Sequence, residues 1–259
     1  MARSGRWAAP LLTGDALAWQ RRDGRVVIRA PDEQGLGLAR FMLALDADTA
    51  GFHARFARDP LLGPSSRALV GYRPLRLATV AHATLRAVVG QLIESRRARA
   101  VERSILRRLG SPVATRQALA GLTPLDLRRH GLAQHRAATL ARVVRGIDLE
   151  RLRTLPGDAG TARLAREHGI GPWSIGVVAL EGLGRYDHGL VGDLGLVKLA
   201  ASLWNRWPET WETAELLEPY GEWQGLAGEI LLLGWARGLV PGADADVARR
   251  TRLRTRRAA

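Results

Sequence analysis

The chain has 259 residues, is 46% hydrophobic, and carries 39 basic against 25 acidic residues for a formal net charge of +14. That length supports one large core or two smaller ones, and the basic excess points to a polyanionic partner, most simply DNA or RNA. The absence of cysteine excludes disulfides, thiolate zinc sites and cysteine-held iron–sulfur clusters.

In chain order, residues 1–10 read as a loose end, too short and too polar for a secretory signal. Strand-like pieces follow at 11–14, 16–20 and 25–30, the last two parted by the turn signal Asp23-Gly24. Residues 1–34 therefore read as a small antiparallel β region. From Gly35 to about Arg58 the spacing turns helical in two runs, closed by Asp59-Pro60. After a loop at Tyr72–Leu75, a helical run places Leu77, Ala81, Leu85 and Val88 on one face. Gly90-Gln91-Leu92 interrupts it. Residues 95–109 form an amphipathic helix with Ala98, Val101, Ile105 and Leu109 inward and arginines elsewhere, a solvated basic face. Gly110 and Pro112 break the chain, Thr123-Pro124 opens another helix, and 131–146 reads as one more.

The stretch His168–Lys198 organises the rest. Gly169-Ile170-Gly171 is a tight reversal, and Pro172 suits the first turn of a new helix. A helix start with bare amides can grip a backbone phosphate without reading sequence; the same turn also serves an ordinary helical hairpin. Asp193 follows Gly192 and precedes Leu196, Val197, Ala200 and Leu203 on one face, which places its carboxylate at a helix N-cap. Such a residue can be a cap alone. It can also carry its charge into a cleft, to stabilise positive charge on a sugar ring or to position a water. The six histidines show no ligand spacing. No apolar run reaches membrane-spanning length, so a cytoplasmic, nucleoid-associated protein without a membrane partner is expected.

Together, the G-I-G-P-W turn, Asp193 twenty residues beyond Trp173, and the D-L-G-L helix start resemble the helix-hairpin-helix DNA glycosylases. The likeness is to the DNA-3-methyladenine glycosylase II branch, over about residues 40–240 and most clearly from Leu75 onward. It implies a mostly α fold, with a helical body in two lobes over 35–242 (hairpin about 161–182). The small sheet precedes that body, making the whole α+β, and a flexible basic tail follows over 243–259. It implies a monofunctional hydrolase that flips an alkylated base from double-stranded damaged DNA and leaves an abasic site, with Asp193 as the catalytic group. Trp173 and Trp223, and more weakly Tyr220, are its candidate aromatic platforms for a cationic base. Gln91 and Leu92 fall on a loop facing DNA, Leu92 as a wedge in the minor groove. Gly169, Ile170, Gly171 and Ser174 fall where the hairpin meets the DNA backbone. The family hairpin often holds a monovalent cation through carbonyls; no other cofactor and no catalytic metal is implied, and a monomer is expected. Trp173 stands where bifunctional relatives carry a lysine, and Lys198 does not match that position. The chain departs from the pattern at Glu222, Gln224, Tyr220 and His168. A non-catalytic binder of damaged DNA and a glycosylase for deaminated or oxidised bases are the alternatives.

Overall fold

The computed structural model describes residues 6–11, 14–91 and 93–244. Leu92, expected as a wedge, and nearly all of the expected basic tail lie outside the described residues. The chain forms two compact units, one from residues up to 47 with 75–160 and 181–184, the other from 48–74 with 161–180 and 185 onward.

In the first unit, β1 (Arg6–Pro10), β2 (Asp15–Gln20) and β3 (Val26–Arg29) make an antiparallel sheet in that order. The first strand corrects the reading of residues 6–10 as a loose end. Its backbone is satisfied by pairing, Trp7 opposite Ala18 and Ala9 opposite Ala16, which local sequence does not announce. Alternation along β2 buries Ala16 and Ala18 and leaves Leu17 and Trp19 exposed. Helix α1 (Glu33–Met42) packs on the buried face, its start capped by Asp32, whose Oδ1 accepts from the Gly35 amide at 2.6 Å. Leu11, Ala16, Ala39, Met42, Ala78 and Val113 close this core.

Helix α4 (Val80–Gly90) is the axis of the same unit and is buried on almost every side. Its start is doubly capped. Thr79 accepts from the His82 amide, and the carboxylate of Glu150 accepts from the amides of Val80 and Ala81 at 3.0 and 3.1 Å. Around α4 lie α5 (Ser95–Leu109), α6 (Arg116–Ala120) and α8 (Gln134–Gly146), while α7 (Pro124–Arg129) packs on α8. Helix α5 has the bounds its amphipathic pattern predicts, but Glu102 among its arginines is buried. His82 Nε2 lies 3.0 Å from Glu102 Oε1, and Arg86 donates to Glu102 at 2.9 Å and to Glu181 at 2.6 Å. Burial works against the Glu102 charge, yet the hydrogen bond from His82 and the charge of Arg86 hold its carboxyl below the usual range. At Glu181 burial wins and pushes the carboxyl up.

The second unit contains α2 (Ala50–Phe56) and α3 (Gly63–Ala68). The latter was not anticipated from its Gly-Pro-Ser-Ser opening, which shows no apolar period. Helix α9 (Ala159–Ala165) ends here, and α10 (Pro172–Val177) runs on as a π-helix over Val178–Leu183. Helices α11 (Leu194–Trp204), α12 (Thr213–Leu217) and α13 (Gln224–Trp235) complete it. Helix α13 is apolar almost all round because α3, α11 and α12 cover it. Among the described residues no helix is long and apolar enough to cross a membrane.

Candidate functional site

The hairpin turn follows the end of α9. The Glu167 amide donates to the Leu164 carbonyl and the Ile170 amide to the Glu167 carbonyl, each at 3.0 Å. Gly169 takes the left-handed φ of +82°, which disfavours any residue with a Cβ. Gly171 is instead extended (φ −95°, ψ 179°) and caps α10 ahead of Pro172. Nothing lies within 4 Å of where its Cβ would be, so this glycine leaves open room beside the backbone. Ile170 and Ser174 are buried at 7% and 2% exposure. Both side chains anchor the turn inward, and what it offers to solvent is the backbone around Gly169 and Gly171. Of the turn carbonyls, those of Glu167 and Gly171 accept the amides of Ile170 and Ile175, and each keeps a second lone pair of the kind a monovalent cation uses. No step of the chemistry passes through such a cation.

Asp193 is the N-cap its sequence pattern predicts. Its Oδ1 accepts from the amides of Gly195 at 2.7 Å and Leu196 at 3.3 Å. Its Oδ2 accepts from the Trp173 indole Nε1–H at 3.1 Å. The carboxylate is half-buried and pinned at both oxygens, one by the start of α11 and the other by the first turn of α10. Oδ1 is satisfied by its two amides, while Oδ2 retains a lone pair for a further partner.

Backbone packing fixes this corner. Gly192, at φ +88°, donates its amide to Thr213 Oγ1 at 2.7 Å. A Cβ on Gly176 would lie 2.4 Å from the Gly189 carbonyl oxygen, and one on Gly225 would lie 2.8 Å from that of His188. The Gly225 amide donates to the Tyr186 carbonyl at 2.7 Å. The segment 185–192 is therefore held against α10, α12 and α13 at distances that side chains would prevent. Within it Arg185 pairs with Asp187, and His188 Nδ1 lies 3.1 Å from Asp187 Oδ1. Against the upward push of burial, hydrogen bonds from Arg185 and His188 hold the Asp187 carboxyl down to about 2.

The other aromatic candidates lie elsewhere. Half-buried Trp223 stacks on Tyr186, centroids 5.8 Å apart at 23°, and meets Phe52 at 5.7 Å. No hydrogen bond or ring contact joins it to Trp173 or Asp193 among the described residues. Tyr220, expected as a weaker platform, is taken up by the core. It is 2% exposed, stands edge-on to Phe56 at 5.2 Å, and directs its hydroxyl to Asp59 Oδ1 at 3.4 Å. Burial pushes its phenol above its usual range. Both rings belong to one chain of aromatic contacts, Tyr220–Phe56–Phe52–Trp223–Tyr186, with Tyr220 buried and Trp223 half-buried. Gln91 is half-buried at the C-terminal end of α4, in the first unit. Sequence reasoning missed Tyr186 and Thr213. Neither carries a local signal, since each acts by packing on a segment distant in the chain.

No family model and no curated protein matches this sequence. Solved structures do. A 3-methyladenine DNA glycosylase from Archaeoglobus fulgidus aligns with a TM-score of 0.69 at 18% identity, over 88% of this chain and 86% of its own. An 8-oxoguanine glycosylase/lyase from Clostridium acetobutylicum, bound to double-stranded DNA with cytosine opposite 8-oxoguanine, aligns at 0.72 and 20% identity over 90% and 85%. A Schizosaccharomyces pombe 3-methyladenine DNA glycosylase in complex with abasic DNA aligns at 0.58 and 17% over 70% and 94%. The fold is therefore the α+β fold of the helix-hairpin-helix glycosylases, mostly helical with one small antiparallel sheet.

Proposed function

We propose that this chain is a monofunctional DNA glycosylase that hydrolyses the N-glycosidic bond of alkylated bases in double-stranded DNA and leaves an abasic site. The observation that carries this reading is the contact between Asp193 Oδ2 and the Trp173 indole N–H, at 3.1 Å, on a carboxylate also fixed by the start of α11. Binding would rest on the basic charge of the chain, with the Gly169–Gly171 backbone set against a phosphate. The target nucleotide must leave the stack, because its glycosidic carbon is out of reach within the duplex.

A purine alkylated at a ring nitrogen is already cationic and leaves readily, so little acid catalysis is required. As the glycosidic bond lengthens, positive charge develops on the sugar. A preorganised carboxylate opposite that charge stabilises the transition state more than the ground state. The remaining lone pair of Asp193 Oδ2 then orients a water toward the anomeric carbon. Trp173 serves this chemistry by fixing Oδ2, and its ring is also the aromatic surface nearest the acid. Trp223, stacked on Tyr186 and in tilted contact with Phe52, belongs to the reading only if the base reaches that cluster, and Tyr220 has no part in it. A tryptophan at the position of the bifunctional lysine supports hydrolysis without strand cleavage.

The test is to incubate the protein with methylated genomic DNA and separate the freed bases by chromatography. Methylated purines should appear, and Asp193→Asn, which keeps a good cap, should lower their release by at least about 100-fold. Wild-type rates in that variant would remove the catalytic role. Structures named for both 3-methyladenine and 8-oxoguanine share this fold, so duplexes containing 8-oxoguanine or hypoxanthine belong in the same assay. Release of those bases alone would favour an oxidised- or deaminated-base enzyme. Tight binding to abasic DNA with no release would favour a non-catalytic binder.

A further inference from the structure

Trp211 is 64% exposed, and Leu194, the residue after Asp193, is 40% exposed. Tryptophan is highly buried on average in folded domains, and Trp211 is the most exposed of the aromatic side chains among the described residues' large exposed hydrophobics. Its support is rigid. Trp211 is the middle residue of a single 3₁₀ turn, Thr210–Glu212, closed by a reciprocal cap between Glu209 and Glu212, and Arg206 pairs with the Glu212 carboxylate. The turn is also tied to the acid's own loop. Thr213 Oγ1 donates to the Thr210 carbonyl at 2.8 Å and accepts from the Gly192 amide at 2.7 Å. A Cβ on Gly192 would lie 3.8 Å from Thr210 Cβ and 4.0 Å from Trp173 Cβ. The turn bearing Trp211, the base of Trp173 and the residue preceding Asp193 therefore meet at one point.

We propose that Trp211 is a nucleic-acid contact of this site, an exposed ring that stacks on an unstacked base or deoxyribose beside the nucleotide engaged by Asp193. The inference rests on the glycosylase reading above. An exposed indole on a turn tied to the acid's loop gives a flat apolar surface that any base can cover, and stacking needs no sequence-specific hydrogen bonds. It needs no positive charge at the contact either. That suits a turn flanked by the carboxylates of Glu209 and Glu215, which would repel a phosphate but not the face of a base. The expected preference is for DNA in which bases are already unstacked, an abasic-site duplex over an intact one.

The experiment measures binding of wild type, Trp211→Ala and Trp211→Phe to a labelled duplex carrying a stable abasic-site analogue and to the same duplex intact, with melting temperatures taken in parallel. Trp211→Ala should bind the abasic duplex about 5- to 50-fold more weakly and the intact duplex nearly unchanged. Trp211→Phe should recover most of the loss, and all three should melt together because the ring is exposed. Wild-type affinity in Trp211→Ala overturns the proposal, as does an equal loss on both duplexes. A wild type that self-associates while Trp211→Ala does not makes the ring a contact between copies and also overturns it. If the wild type neither releases bases nor prefers abasic DNA, the glycosylase reading itself has failed and this inference falls with it. If the wild type does both and Trp211→Ala is unchanged, only the inference fails.

Discussion

Replacing Gly195 by alanine tests whether the placement of the Asp193 carboxylate matters, separately from its presence. Gly195 is the second residue of α11, and a Cβ there would lie 2.7 Å from Leu232 Cδ2 and 2.9 Å from Asp193 Oδ1. Both are ends of side chains and both would have to retreat by roughly 0.5–1 Å to reach ordinary contact. Leu232 can retreat by changing rotamer, at an overpacking cost of about 1–3 kcal/mol. Alanine returns about 1 kcal/mol through its better helix propensity. The net cost to folding is then about 0–2 kcal/mol, a fall in Tm of no more than about 6 °C for a chain of this size. Asp193 cannot retreat without lengthening its bond to the Leu196 amide, already 3.3 Å, past hydrogen-bond range. A carboxylate displaced by a fraction of an ångström should lose about 10- to 100-fold in rate. Single-turnover release of methylated purines, set beside a thermal melt, reads both quantities. A Gly195→Ala protein that excises at the wild-type rate would show that the Oδ1 position is not what the fold is protecting, whatever happens to Tm.

Three further outcomes are expected. Trp173→Phe keeps a ring but removes the indole N–H bond to Asp193 Oδ2. Hydrogen bonds to charged groups contribute about 1.5–3 kcal/mol, so single-turnover excision should fall by about 10- to 100-fold with Tm within a few degrees of wild type. The Asp187 carboxyl is held down to about 2 against an ordinary 3.8. Its contribution to stability is therefore complete above about pH 5 and is lost as the pH falls through about 2. Asp187→Asn should destabilise by about 1–2 kcal/mol at pH 7, and the gap to wild type in urea melts should narrow to about a third by about pH 2.5 on the way to closing below the folded pKa. Arg86→Leu leaves the buried carboxyl of Glu181 without its cation. Chemical denaturation should show a loss of about 2–4 kcal/mol at pH 7, tempered because the Arg86 side chain is 40% exposed. The loss should shrink in acid as Glu181 protonates.

Much of the site was legible because local rules wrote it. Asp193 before an apolar-periodic run reads as a cap and is one. The glycine turn ahead of Pro172 reads as a reversal and is one, although only Gly169 uses positive φ. Helix α5 was legible to the residue because its apolar stripe runs from Ala98 to Leu109 and Gly110 closes it in the left-handed conformation. What escaped depends on residues far apart in sequence. The pairing of β1 needs β2. The burial of Glu102 needs His82 and Arg86 from α4. Twenty residues separate Trp173 from Asp193, and nothing in that spacing says that the indole N–H, rather than the ring face, meets the carboxylate. Tyr220 and Trp223 look alike in sequence and join the same ring cluster, and only packing against Phe52, Phe56 and Asp59 decides that Tyr220 is the buried one.

The corner around Asp193 owes its shape to missing side chains more than to present ones. Gly176 admits the Gly189 carbonyl to within 2.4 Å of where a Cβ would stand. Gly192 turns through the left-handed region so that its amide reaches Thr213, and Gly195 leaves Asp193 Oδ1 room to accept two amides. The first two contacts are backbone to backbone and backbone to a short hydroxyl and have little freedom to yield, and the third sets two amides directly on the carboxylate. A carboxylate held this way is already in place before any sugar charge develops, which is the condition under which a fixed charge lowers a barrier without reorganising during the reaction. The aromatic rings differ in kind, since Trp223 and Trp211 could be exchanged for other flat side chains without moving the acid. Lesion preference can therefore drift through the rings while the chemistry stays tied to the glycines. A variant with altered base selectivity and an intact hydrolysis rate should carry its substitution at a ring, not at Gly176, Gly192 or Gly195.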